Sequence, residues 1–199
     1  MFERTRRELL RDLGLAVMAA GSVDTAAAQH VHQMAAEDSE ATGGVYKPKV
    51  FTTHEYATLE RLTDLILPPE GNLPGARVAG AAVWIDMLAA VNAELAEIYT
   101  GGLARLDDSM RARSGEDFIS APPAAQTAYL DVIAYRKNKS DETAADIVFF
   151  DWARRMTVDA FYTSKIGVKA LDYRGNTPQS KYQVPVEAMD YALRKSGFA

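Results

Sequence analysis

The sequence predicts an all-α protein: a compact helical bundle preceded by a signal and linker and followed by a long irregular C-terminal segment. From residue 51 onwards apolar residues recur at helical spacing, no stretch alternates with period two, and Gly and Pro separate the periodic stretches. A length of 199 residues suits one domain with appendages. The predicted divisions are a signal segment over 1–28, a linker over 29–50, a bundle domain over 51–164, and an irregular tail with a short terminal helix over 165–199.

The first residues have the features of an export signal. An arginine pair is followed by two leucines and then by the weakly apolar run 13–23. Eleven residues are too few to cross a bilayer, which takes about 20, but they match the apolar region of a signal peptide. The order resembles the twin-arginine pattern, whose pathway carries folded proteins, and Ala28 is the expected last signal residue. An amphipathic helix is the alternative. The signal residues are Arg6, Arg7, Leu9 and Leu10.

The bundle is expected to begin with a well-marked helix. Thr52 can cap it, and Glu55 three residues later completes a capping box. Pro68 and its neighbour end this helix, because proline cannot continue the backbone hydrogen bonding. A second helix is predicted over 78–99, with the glycine pair 101–102 as an interruption.

Three further helical stretches follow. One reaches Ser114, another begins near Pro122, and a third is capped by Ser140 and carries a row of aromatic residues. Residues 165–185 then lack a helical pattern, yet keep aromatic and basic side chains. Irregular stretches of this length are uncommon inside a domain, so we expect this one to lie against something. A short helix over 186–195 closes the chain.

Composition excludes several classes of function. A net charge of −5 gives no basic surface for phosphate backbones, so nucleic acid is not an expected partner. The absence of cysteine excludes disulfides, thiolate catalysis and Cys-ligated metal centres in this chain. His30 and His32 fall in the predicted linker, and His54 is expected at the surface, so no metal site is predicted.

The chain offers little that resembles a catalytic site. The glycine pair Gly75 and Gly80 has P-loop spacing, but alanines stand where Lys and Ser or Thr are required. A nucleophile elbow and a dinucleotide fingerprint are also missing from the sequence. Acidic residues on predicted helices are usually solvated or paired with arginine, and these are Asp64, Asp86, Asp107, Asp108 and Asp159. The inventory favours a binding or structural protein.

Three stretches together resemble a known family. They are "FTTHEYATLERLTDLILPPEGNLPGARVAGAAVWIDMLAA" (51–90), "GLARLDDSMRARSGEDFISAPPAAQTAYL" (102–130) and "TVDAFYTSKIGVKALDYRGNTP" (157–178). In this order they are similar to the gluconate 2-dehydrogenase subunit 3 family. Its members are small subunits of FAD-dependent sugar or polyol dehydrogenases, whose large subunits belong to the glucose-methanol-choline oxidoreductase family.

The resemblance implies a role without catalysis. It implies no cofactor in this chain, FAD on the large partner subunit, and a cytochrome c subunit or another acceptor for the electrons. It also implies that the twin-arginine translocase exports the small subunit with the large one as passenger, to the periplasm or the periplasmic face of the inner membrane. Interfaces favour aromatic and arginine anchors. The expected partner-binding residues are Phe161, Tyr162, Tyr173, Arg174, Asn176 and Tyr182.

Two alternatives stay open at this point. An exported stand-alone enzyme would use carboxylates such as Asp86 and Asp159. A stand-alone exported helical module for a small ligand would be a monomer with a closed apolar pocket. A partner complex instead predicts exposed apolar surface on the isolated chain.

Overall fold

The computed structural model describes residues 25–41, 45–171 and 184–196. These residues form α-helices and one 3₁₀ turn (Arg136–Asn138), with no strand beyond a single bridge between Glu70 and Leu73. The predicted all-α class is confirmed. The helices are α1 (Thr25–Ala41), α2 (Thr53–Ile66), α3 (Ala81–Ala89), α4 (Ala93–Ser114), α5 (Pro123–Ile133), α6 (Ala144–Thr163), α7 (Lys165–Ala170) and α8 (Val186–Ser196).

Helices α3 and α6 form the centre of the bundle. The short α3 is apolar on nearly every side, a pattern typical of a buried helix, and Trp84, Ile85 and Leu88 on it are fully buried. The long α6 packs against α1, α2, α3, α4, α5 and α7. In the described part of the chain no helix is both long and apolar enough to span a bilayer.

The predicted cap of α2 is confirmed. The Thr52 side chain accepts a hydrogen bond from the Glu55 backbone N–H, and the Glu55 carboxylate accepts one from the Thr52 backbone N–H at 2.8 Å. The helix ends at Ile66, two residues before Pro68. Local sequence therefore fixes both ends of this helix.

The prediction of one helix over 78–99 with an interruption at the glycine pair is wrong. The break falls at Asn92, whose side chain accepts a hydrogen bond from the Leu95 backbone N–H at 3.0 Å and caps α4. Helix α4 then runs through Gly101 and Gly102. A Cβ on Gly102 would lie 2.0 Å from the Phe149 ring, so glycine here permits the close approach of α4 to α6.

The prediction of a linker is wrong for residues 29–41, whereas residues 1–24 of the predicted signal lie outside the described residues. Residues 25–41 form α1, which buries Ala28, Val31 and Met34 in the core. The indole N–H of Trp84 donates a hydrogen bond to the Ala28 carbonyl at 3.3 Å. Because these apolar side chains are spaced three apart, one side of α1 packs against the bundle although its composition is mostly polar.

The C-terminal region is partly more regular than predicted. Helix α6 is capped at Thr143 rather than at the predicted Ser140, and the Thr143 hydroxyl accepts a hydrogen bond from the Ser140 backbone N–H in the preceding turn. Residues 165–170 form α7, where irregular structure is predicted. The rest of that irregular segment, 172–183, lies outside the described residues, and α8 follows where the terminal helix is predicted.

Candidate subunit-contact surface

The described residues include only part of the predicted site. The signal residues Arg6, Arg7, Leu9 and Leu10 lie outside them, as do the predicted partner-binding residues Tyr173, Arg174, Asn176 and Tyr182. Phe161 and Tyr162 are described, at the C-terminal end of α6. The surface is therefore built from these two residues and the helix that carries them.

Phe161 and Tyr162 differ sharply in exposure. Tyr162 is 38% exposed, whereas Phe161 is 4% exposed and belongs to the interior rather than to the predicted partner-binding surface. Their ring centroids lie 5.0 Å apart at an interplanar angle of 87°, an edge-to-face arrangement that aromatic pairs prefer. The buried Phe161 ring therefore packs against the exposed Tyr162 ring and restricts its position.

The corner between α6 and α7 holds this aromatic pair in place. The Ser164 hydroxyl donates to the Phe161 carbonyl at 2.6 Å and accepts from the Gly167 backbone N–H at 3.0 Å. A Cβ on Gly167 would lie 2.0 Å from the Phe161 carbonyl oxygen, so only glycine lets α7 approach so closely. The corner fixes the direction in which Tyr162 projects.

Tyr162 ends a row of side chains along the outer face of α6. The row, which we call the α6 stripe, is Val148, Trp152, Arg155, Asp159 and Tyr162. Alternating spacings of four and three place these residues on one face of a helix. Val148 is 61% exposed, and Val158 beside the row is 36% exposed. Trp152 and Asp159 are partly buried, and Trp152 packs against the core, so the α6 stripe is a mixed surface on which Val148 and Tyr162 are the exposed apolar side chains.

Charged groups on the α6 stripe are arranged around Arg155. Its guanidinium carbon lies 4.9 Å from the Trp152 ring centroid, and it forms a 3.4 Å ion pair with Asp151. Burial acts to raise the pKa of Asp151, but the hydrogen bond from Arg154 and the charge of Arg155 outweigh it, so the pKa is lowered. Burial raises the pKa of Asp159, and Arg155 opposes that shift. Arg and Trp together are typical of interface anchors.

Asp86, a candidate catalytic residue of the stand-alone enzyme, has a structural role in the bundle. It is fully buried on α3 and accepts hydrogen bonds from the Tyr46 hydroxyl at 2.6 Å and the Lys49 backbone N–H at 2.7 Å. Two more arrive from the backbone N–H groups of Val50 at 3.1 Å and Phe51 at 3.3 Å. These bonds hold the segment before α2 onto the bundle and leave the carboxylate inaccessible to a substrate.

Three of the other acidic residues on predicted helices also have partners. Asp64 lies 3.8 Å from Arg61, and Asp108 lies 3.0 Å from Arg111. Asp107 is buried and accepts from the Phe118 backbone N–H at 3.0 Å. These contacts tie neighbouring turns and helices together.

One cluster has the composition of a cation site. Ligand atoms of His54, Asp107 and Asp117 lie within 4.8 Å of one another, and the His54 Nε2 is 2.6 Å from the Asp107 Oδ2. The Arg111 guanidinium lies 3.9 Å from that same oxygen, which disfavours a second cation there. Asp117 already accepts from the Ser120 backbone N–H at 2.9 Å. The contacts account for the cluster as a hydrogen-bonded connection between α2 and α4.

A cleft of about 900 Å³ lies between α1 and the corner of α6 and α7. Its lining includes the polar side chains of His32, Gln33, Thr163 and Lys165. His32 stacks on Trp84 with 6.1 Å between ring centroids and lies 3.2 Å from the Thr163 hydroxyl. Its pKa is lowered by burial. This cleft is open to solvent and lined by both polar and apolar side chains, unlike the closed apolar pocket that a small-ligand module predicts.

The described residues form a small all-α protein with exposed side chains along α6. The family model described as gluconate 2-dehydrogenase subunit 3 matches residues 53–179, more than half of the chain. The chain belongs to the gluconate 2-dehydrogenase subunit 3 family, as its three motif stretches predict. It is thus related to small accessory subunits of dehydrogenase complexes. No curated protein and no solved structure gives a significant match to it.

Proposed function

We propose that this chain is the non-catalytic small subunit of an exported FAD-dependent sugar or polyol dehydrogenase. It binds the large flavoprotein subunit, stabilises it and escorts it through twin-arginine export. Family membership over 53–179 is the observation that carries the proposal. The exposed α6 stripe supports it, because a subunit needs apolar surface that a partner can cover.

The proposal assigns the redox chemistry to the partner. A dinucleotide site is built on a glycine-rich turn between a strand and a helix, and the described residues form no such unit. We infer that FAD lies on a large subunit of the glucose-methanol-choline type, which oxidises the sugar. A cytochrome c subunit or another acceptor then takes the electrons, on the periplasmic side of the inner membrane.

The proposal assigns export of the complex to the N-terminal arginine pair. A flavoprotein folds around FAD before it leaves the cytoplasm, so it needs a pathway for folded cargo. A partner bound tightly enough can travel on the signal of the small subunit. This requires the complex to form before export.

Replacement of Arg6 and Arg7 by lysine tests the escort role. In cells that produce both subunits, we expect the Arg6→Lys, Arg7→Lys chain and its partner to remain in the cytoplasm. Arg4→Lys, which lies outside the pair, is the matched control and leaves delivery unchanged. Immunoblots of periplasmic and cytoplasmic fractions give the measurement. Normal periplasmic amounts of the partner with the double variant would reject the escort role.

The α6 stripe is tested by a pair of exposed tyrosines. Tyr162→Ala removes a supported aromatic anchor and is expected to weaken the complex about tenfold or more. Tyr135→Ala is the control, because Tyr135 is 56% exposed but lies outside the stripe, after α5. Affinity of the purified subunits for each other is measured by titration. Equal affinities for the two variants would contradict the placement of the contact surface.

A further inference from the structure

The terminal helix α8 presents an apolar face that the described residues do not cover. Val186, Met189 and Leu193, which we call the α8 stripe, are spaced three and four apart and so share one face of the helix. They are 68%, 49% and 45% exposed, and no residue of α8 is buried. We propose that the α8 stripe docks into an apolar groove on the catalytic dehydrogenase subunit. This inference rests on the proposed function.

Helix α8 is too short to be stable by itself. It has 11 residues, and isolated helices below about 12 to 15 residues are marginal in water. Its sequence nevertheless favours a helix, with Glu187 in the first turn and Arg194 and Lys195 in the last, where each complements the helix dipole. A partner surface that covers the α8 stripe supplies the missing stabilisation.

The charges of α8 argue against a lipid surface as the occupant. Helices that lie on membranes carry many Lys and Arg on their polar face. Here Glu187 and Asp190 balance Arg194 and Lys195, so the helix has no net positive charge. A protein groove with matching charges at its rim fits this pattern better.

The dimensions of α8 argue against a second copy of this chain. A helix of 11 residues is about 16 Å long and about 10 Å wide, so one face covers about 160 Å². Two such faces bury about 320 Å², well below the about 1,200 Å² of a stable interface. A groove surrounds the helix on several sides and works together with other surfaces of this chain, among them the α6 stripe.

The spacing of the α8 stripe also indicates how the partner would recognise this helix. Anchors at positions i, i+3 and i+7 are those of an amphipathic helix bound in a hydrophobic groove. The partner groove should have an apolar floor for Met189 and Leu193. Its rim should carry an acidic group near Arg194 and Lys195, where the helix ends.

Two neighbouring residues provide a matched test. Met189→Glu places a charge on the α8 stripe, whereas Ala188→Glu places the same charge on the opposite, exposed face. Titration of each purified full-length chain with the purified large subunit gives the affinity. We expect Met189→Glu to weaken binding about 30-fold or more, and Ala188→Glu to change it less than about twofold. Leu193→Glu should behave as Met189→Glu does.

Hydrogen exchange provides a second readout that does not depend on a variant. Amides of α8 should exchange rapidly in the isolated chain and become protected in the complex. Strong protection already in the isolated chain would mean that α8 docks on its own bundle, and rapid exchange in both states would mean that the partner does not cover it. Either result would overturn the inference. A concentration-dependent dimer or binding to anionic lipid vesicles, lost in Met189→Glu, would overturn it in favour of those occupants.

The outcomes separate this inference from the proposed function. If the wild-type chain binds the flavoprotein and Met189→Glu binds equally well, α8 is not the docking helix, but the subunit role stands. If the wild-type chain binds no flavoprotein, the proposed function fails first. Thermal unfolding of each variant is the folding control, and it should be unchanged because Met189 and Ala188 are exposed.

Discussion

The carboxylate of Asp86 should matter for stability and not for chemistry, and Asp86→Asn tests this. One carboxylate oxygen accepts from the Tyr46 hydroxyl and the Lys49 backbone N–H, and the other accepts from the Val50 and Phe51 backbone N–H groups. Asparagine keeps one acceptor oxygen and replaces the other with an NH₂ donor. With the NH₂ turned one way, the backbone N–H groups of Val50 and Phe51 face a donor. Turned the other way, the Lys49 backbone N–H faces a donor, whereas the Tyr46 hydroxyl can rotate to accept from the amide.

The structure sets the size of the effect. Each hydrogen bond to a charged group contributes about 1.5 to 3 kcal/mol, so losing one or two at this fully buried site costs about 1.5 to 6 kcal/mol. For a domain of this size that lowers Tm by about 3 to 24 °C. Circular dichroism during heating and urea unfolding measure both quantities. Asp64→Asn, at a partly exposed ion pair of 3.8 Å, is the control and should cost less than about 1 kcal/mol.

Two results would refute this reasoning. A Tm for Asp86→Asn within about 2 °C of wild type would mean that the four contacts do not hold the segment before α2. A substrate turned over by the purified wild-type chain, and lost in Asp86→Asn at unchanged Tm, would mean that the carboxylate is catalytic. The first result concerns the fold, and the second would restore the stand-alone enzyme.

Three further predictions concern the bundle. Gly102→Ala should destabilise the chain by about 1 to 3 kcal/mol, because its Cβ would clash with the Phe149 ring on α6. Gly101→Ala meets open space and should stabilise the helix by about 0.5 to 1 kcal/mol. Shifts in Tm of the same sign for both variants would contradict this. Burial lowers the pKa of His32, so the unfolded chain binds the proton more tightly and the free energy of unfolding falls as pH drops below about 6.5. Urea titrations at several pH values should show that the free energy of unfolding of His32→Gln depends less on pH. Equal pH dependence of the two chains would contradict this. A chain that starts at Gln29 should unfold at a lower temperature than one that starts at Thr25. The buried Trp84 indole N–H then loses the Ala28 carbonyl as its acceptor, at a cost of about 1 to 3 kcal/mol. Equal melting curves would contradict this contact between α1 and the core.

Local signals in the sequence predicted the elements that local chemistry determines. Thr52 and Glu55 form the predicted capping box because both partners lie within one turn. The break at Asn92 was missed because asparagine inside an apolar pattern resembles an ordinary helix residue until its capping bond is seen. The local pattern predicts an interruption at Gly102, but its role is close packing against Phe149, 47 positions away in the chain.

The contact surface could be predicted only in part. Tyr162 was expected to face a partner and is exposed, but the α6 stripe was not recognised, because α6 is central and carries apolar residues on almost every side. Only packing shows which of them the bundle covers. The core role of α1 was missed for a related reason: Val31 and Met34 stand among polar residues, and their spacing was the available signal.

The central claim is that this chain works as part of a complex with a flavoprotein. Affinity purification of the tagged protein from its native cells, followed by mass spectrometry and a flavin absorption spectrum, tests it most directly. We expect a large subunit of the glucose-methanol-choline type to be recovered at a one-to-one ratio, with bound FAD. A monomer recovered without any stoichiometric flavoprotein would contradict it.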